Sequence, residues 1–184
     1  MSKVAPVPKR ADAAGPAKTH ASTPLMLAVM LPVAAAVVTV DRVTKNLAET
    51  NLSRAPGASV DVIDSWLRFS LSHNTGAAFG VLQNQSILYV IIALVVVVVS
   101  VGYYHYLPRN NWLLTVCLGM QLGGAIGNLI DRIQHVYVVD FIDVGIGAAR
   151  WPWFNVADSC IVVGICVLAG YLVLHPEAER QGKP

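Results

Sequence analysis

Between positions 128 and 158 the chain carries four acids and two asparagines in otherwise apolar sequence: Asn128, Asp131, Asp140, Asp143, Asn155 and Asp158, with Arg132 directly after Asp131. Asn128 and Asp131 are three residues apart, as are Asn155 and Asp158. That spacing puts each pair on one helical face. The run VVDFI sets Asp140 in an apolar, strand-like stretch between them. If these faces converge, carboxylates meet in a partly dry pocket. Two close carboxylates cannot both ionise cheaply, so one keeps a proton. Such a pair divides into a general base that activates water and a general acid that protonates a carbonyl oxygen or leaving amine. Its titration belongs to the pair rather than to either residue. An ionisable residue at membrane depth is costly and points to function. Asp158, inside WFNVADSCIVVG, is the clearest case.

Each piece also has a structural reading. Asp131 and Arg132 read as an interfacial salt bridge. Asp41 and Lys45, four apart at the end of the first apolar run, read as a helix-end ion pair. Asn155 can bond helix to helix, and Asp143 reads as a solvated neighbour of Asp140. The competing function is a small transporter or channel component with Asp158 as a proton relay; a structural or assembly subunit is a third. A relay spreads polar groups through the membrane depth, yet VIIALVVVVVSVG offers almost none. An assembly subunit would use the glycines Gly119, Gly123, Gly124 and Gly127 for close packing, but leaves converging acids without a reason. The histidines form no HExxH pattern, so no metal is expected. The serines lack a GxSxG context, and Cys117, Cys160 and Cys166 read as small buried hydrophobes.

The elements that must position these groups are membrane helices. Of 184 residues, 55% are hydrophobic and 13% charged, against about a quarter charged in soluble domains. Mean hydropathy is +0.56. The net charge of +2 has no basic stripe, which argues against nucleic acid. A bilayer core needs roughly 20 apolar residues as helix. Four segments qualify, at about 24–43, 87–107, 112–130 and 153–174. The expected fold is therefore a polytopic α-helical membrane protein with four transmembrane helices. Residues 1–23, rich in Ala, Pro and Lys, read as a disordered basic tail. Positive charge keeps that tail cytoplasmic, so the C-terminal tail, 176–184, returns to the same side. The connections at about 44–86 and 131–152 then face the opposite side, which in a bacterium is the periplasm or its equivalent. Trp66, Trp112, Trp151 and Trp153 fall near span ends, where interfacial aromatics belong.

Both outer connections carry strand signals. In WLRFSLSHN, Leu67, Phe69 and Leu71 alternate with Arg68, Ser70 and Ser72, and Asn74-Thr75-Gly76 follows as a turn. The second, QHVYVVDFIDV, is rich in Val, Ile, Tyr and Phe. The two can pair into a small β-sheet cradle above the helices.

Five motifs complete the reading: DRVTKN, HNTGAAFG, GGAIGNLIDRI, VVDFIDV and FNVADS, in that order. Together they closely resemble the lipoprotein signal peptidase (signal peptidase II) family over about residues 24–175. The resemblance implies a multi-pass aspartyl endopeptidase of the bacterial inner membrane, with both termini cytoplasmic and its active site near the periplasmic face. It implies cleavage of diacylglyceryl-modified prolipoproteins just before the lipidated cysteine. Asp140 and Asp158 match the family's catalytic dyad. Asp41, Lys45, Asn74, Gly76, Asn128, Asp131, Arg132 and Asn155 match its supporting polar residues. The family pattern does not require an acid at Asp143. No cofactor or metal is implied, and a monomer suffices. The implied partners are the prolipoprotein, membrane lipid and globomycin-type inhibitors. The Ala/Pro-rich N-terminal tail is longer than the family minimum.

Overall fold

The computed structural model describes residues 23–64, 66–76, 86–103 and 111–175. The terminal tails, residues 77–80 of HNTGAAFG and the connection at 104–110 lie outside the described residues. Four helices are present there: α1 (Thr23–Leu52), α2 (Ser86–Tyr103), α3 (Trp112–His135) and α4 (Val156–Leu174). Three of them, over Leu27–Leu52, Trp112–His135 and Val156–Leu174, are long and apolar enough to cross a bilayer. In α2 the apolar stretch Val90–Gly102 is shorter.

Helix α3 is the central element, packed against α1, α2 and α4. Its small residues make that possible. A Cβ on Gly123 would sit 2.6 Å from the Ala34 carbonyl oxygen of α1, and one on Gly124 would sit 2.5 Å from the Ala157 carbonyl oxygen of α4. Consecutive glycines thus let two helix backbones approach adjacent faces of α3, as the glycine spacing led one to expect. Met30, Ala34, Leu114, Leu118 and Leu122 fill the α1–α3 seam. Most of α2 and α4 instead turns Val, Ile and Leu outward, including Val98, Val162 and Val173, as lipid-facing surfaces do.

Helix α1 runs nine residues past the apolar segment that ended at Val43. Asp41 and Lys45 are therefore interior to the helix, not a pair at its end. Charge interrupts the hydropathy there and so resembles an end; α3 partners Lys45 and α4 partners Asp41, which lets the helix continue.

Above the helices lies one antiparallel sheet, β1 (Ser59–Ile63), β2 (Leu67–Asn74), β3 (Val138–Ile146) and β4 (Ala149–Arg150), paired in that order. The two expected strands are β2 and β3, and they pair with Ser72 opposite Asp140 and Arg68 opposite Asp143. A register shift between Phe69 and Ser72 breaks the simple alternation of β2, so Phe69 is exposed rather than inward. The flanking strands β1 and β4 were not foreseen; both are short, and β4 is a two-residue stub.

Candidate active site

The site grows from the first turn of α4. Asn155 caps that helix: its side chain accepts from the Asp158 backbone N–H at 2.9 Å, and the Asp158 carboxylate accepts from the Asn155 N–H at 3.3 Å. This reciprocal box needs a short acceptor at the cap and an acid three residues on. It corrects the expected picture of two residues sharing a face inside a span. Asp158 instead belongs to the helix's opening turn, where free N–H groups favour an anion.

Three amides then aim the two acids. Asn128 donates to Asp158 Oδ1 at 2.7 Å, Asn155 donates to Asp140 Oδ1 at 2.7 Å, and Asn74 donates to Asp140 Oδ2 at 2.8 Å. The Gly76 N–H bonds Asn74 Oδ1 at 2.9 Å, which orients that amide's donor toward Asp140. Asn128 Oδ1 accepts from Lys45 Nζ at 3.0 Å and from Asn155 at 3.2 Å, which fixes its donor on Asp158 in the same way.

Beneath them Lys45, 1% exposed, is buried among acids. Its Nζ lies 2.8 Å from Asp41 Oδ2 and 2.8 Å from Asp131 Oδ2. Asp41 also accepts the Ala157 N–H at 3.0 Å, holding the start of α4, and Asp131 accepts the Val139 N–H at 3.2 Å, holding β3 beside Asp140. Arg42 completes the group by pairing with Asp131. The expected Asp131–Arg132 bridge is not among these contacts. Adjacent helical residues point about 100° apart, and Asp131 faces α1. Arg132 reaches back to the Asn128 carbonyl at 3.4 Å and lines the cavity.

Asp140 and Asp158 border one cavity of about 610 Å³, together with Asn74, Gly76, Asn128 and Arg132. Its other wall is apolar, with Trp151, Trp153, Phe154 and Val162. Burial pushes the Asp140 carboxyl up to about 7; the Asp158 charge adds to this, while the Asn74 and Asn155 bonds and the Lys45 charge oppose it. The arrangement is one in which a proton can be shared near neutral pH.

The match to the family model for Signal peptidase (SPase) II spans residues 33–174. The chain belongs to the signal peptidase II family. It is 46% identical over 148 residues to the lipoprotein signal peptidase of Caldanaerobacter subterraneus, covering 80% of this chain and 97% of that one. Identity to the Moorella thermoacetica lipoprotein signal peptidase is 40% over 148 residues, covering 80% and 94%. A bacterial membrane enzyme solved by the in meso method at 2.3 Å superposes with a TM-score of 0.71 at 30% identity, over 82% of this chain and 90% of that one. As a signal peptidase II the chain is a protease, of a membrane-embedded enzyme family.

Within this signal peptidase II, Asp140, Asp158, Asn74, Gly76, Asn128, Arg132 and Asn155 come together around the cavity or its amides. Asp41, Lys45 and Asp131 sit one layer below. Asp143 departs from its expected solvated role. It is buried between Arg150, whose Nε lies 2.8 Å away, and Arg68, whose Nε lies 2.9 Å away. Burial raises its carboxyl pKa, but the two guanidiniums outweigh that and hold it below the usual carboxylate range. Sequence reading missed Arg68, Arg150 and the cavity wall from Trp151 to Phe154. The available signal was the direct cross-strand pairing of opposite charges, legible only once the β2–β3 register is known.

Proposed function

We propose that this protein is an intramembrane aspartyl endopeptidase of the bacterial inner membrane. It removes signal peptides from diacylglyceryl-modified prolipoproteins, cutting just before the lipidated cysteine. The observation that carries the reading is that Asp140 and Asp158, eighteen residues apart on a strand and a helix, line one cavity and are each aimed by asparagines. In this reading α2 is the fourth span, both tails are cytoplasmic and the sheet lies at the periplasmic face. The exposed Trp66, Trp151 and Trp153 then sit at the headgroup level.

Substrate enters by lateral diffusion, its signal helix and acyl chains in lipid and its lipobox backbone along the sheet. One water lies between the two carboxyl groups. The ionised aspartate takes a proton from this water as its oxygen attacks the scissile carbonyl carbon, and the protonated one donates to the carbonyl oxygen. The aspartate that took the water's proton passes it to the cysteine's nitrogen, which leaves as the tetrahedral intermediate collapses and a hydroxyl of that intermediate returns its proton to the other carboxylate. The amides of Asn74, Asn128 and Asn155 hold the carboxylates in place throughout, which lowers the cost of organising the transition state.

The test uses lipidated preprolipoprotein in membranes carrying Asp140→Asn or Asp158→Asn. Each variant is expected to lose cleavage by at least about 10³-fold at unchanged protein level. Normal cleavage by both would end the dyad assignment. Unlipidated precursor should be a poor substrate, and globomycin should abolish activity by occupying the dyad.

A further inference from the structure

A second cavity of about 370 Å³ lies among α2, α3 and α4, lined by Ala93, Val99, Gln121 and Ile165 among others. It adjoins the first: Asn128 and Arg132 line both. Its walls are apolar apart from Ser100, Gln121 and the shared Asn128 and Arg132. Gln121 is 8% exposed, and its Nε2 has no hydrogen-bond partner among the described residues. An orphaned amide donor at membrane depth costs free energy that a ligand carbonyl would recover.

The size of the cavity selects the ligand. A signal helix is about 10 Å across and tens of ångströms long, far beyond 370 Å³. An alkyl chain fits. Position along α3 selects the polar group. Gln121 lies seven residues from Asn128, about 10 Å along the helix axis. A diacylglyceryl cysteine places its ester carbonyls six to seven single bonds from the cysteine backbone, a reach of about 8 Å.

We infer that this cavity is the slot for one acyl chain of the lipidated substrate, with Gln121 donating to that chain's ester carbonyl. The inference rests on the lipidated-substrate reading above. It makes Gln121 a specificity residue remote from the bond cut, and it gives α2 a role in substrate registration.

The experiment uses the full chain reconstituted in detergent, with synthetic lipobox peptides whose cysteine carries dipalmitoyl diester, dihexanoyl diester or dihexadecyl diether glycerol. The wild type should prefer the long diester over the diether by about fivefold in KM. Gln121→Leu should erase that preference while leaving kcat on the diether unchanged. It should keep or raise the melting temperature, because the donor it removes has no partner among the described residues. Val99→Trp fills the slot from a position 58% exposed, and should raise KM roughly tenfold for the dipalmitoyl peptide but not for the dihexanoyl one. Unchanged diester-to-diether and chain-length ratios in both variants would overturn the slot; a cavity occupied by bilayer lipid gives that result. If the wild type cleaves none of the lipidated peptides, the proteolytic reading falls as well, which separates the two failures.

Discussion

Asp140 and Asp143 stand three residues apart on β3, and each is only 1% exposed. Their chemistry is opposite. Alternation along the strand sends them to opposite faces. Asp140 meets amides, a second acid and a cavity, and its carboxyl is pushed to about 7. Asp143 is covered by two arginine side chains, one of them 36% exposed, and is held below the usual carboxylate range. Loss of solvent contact alone therefore does not mark a reactive acid. What matters is whether the burying groups are cations or neutral dipoles. A cation stabilises the charge outright, whereas amide dipoles orient it and leave a proton within reach.

The largest expected break in this comparison is functional. Asp140→Asn should abolish peptidase activity, whereas Asp143→Asn should leave turnover of lipidated precursor within a few-fold of wild type. Loss of activity in Asp143→Asn equal to that in Asp140→Asn would erase the distinction between the faces.

Next in size is the cation that serves the reactive side from below. Lys45→Met leaves Asp41 and Asp131 buried without their shared cation, a change that typically costs about 3–5 kcal/mol. Thermal unfolding in detergent should detect it. For Asp143→Asn the same measurement should register only about 1 kcal/mol, since its arginines stay partly in solvent.

The smallest effect is a shift in a pH profile, and its sign follows from the direction of the perturbation. The raised Asp140 pKa keeps a proton on the pair below about 7 and loses it above. The rate constant kcat/KM should therefore fall as pH rises through that value. Asp143 is held low, so its arginine pairs persist through the same window and Asp143→Asn should leave the alkaline limb in place. An alkaline limb that moved with Asp143→Asn would mean that the two faces titrate together.

Much of this was legible in one dimension. The apolar runs announced α1, α3 and α4, because a bilayer's thickness translates directly into a count of apolar residues. The β-rich composition of QHVYVVDFIDV announced β3, and the glycines of α3 announced close helix packing. The end of α1 was not legible because Asp41 and Lys45 look like a boundary when their partners on α4 and α3 are unknown. The arginine clasp on Asp143 was invisible for a related reason: Arg68 lies 75 positions away, and a β-bulge shifts the strand that carries it.

The chain by itself determined which side chains can exchange protons and which segments prefer lipid, since both are local properties of residue type and spacing. Only the tertiary structure decided which acids share a cavity and which are neutralised by a cation. Charge interactions act over a few ångströms through space, and that proximity is created by packing α1, α3, α4 and the sheet together.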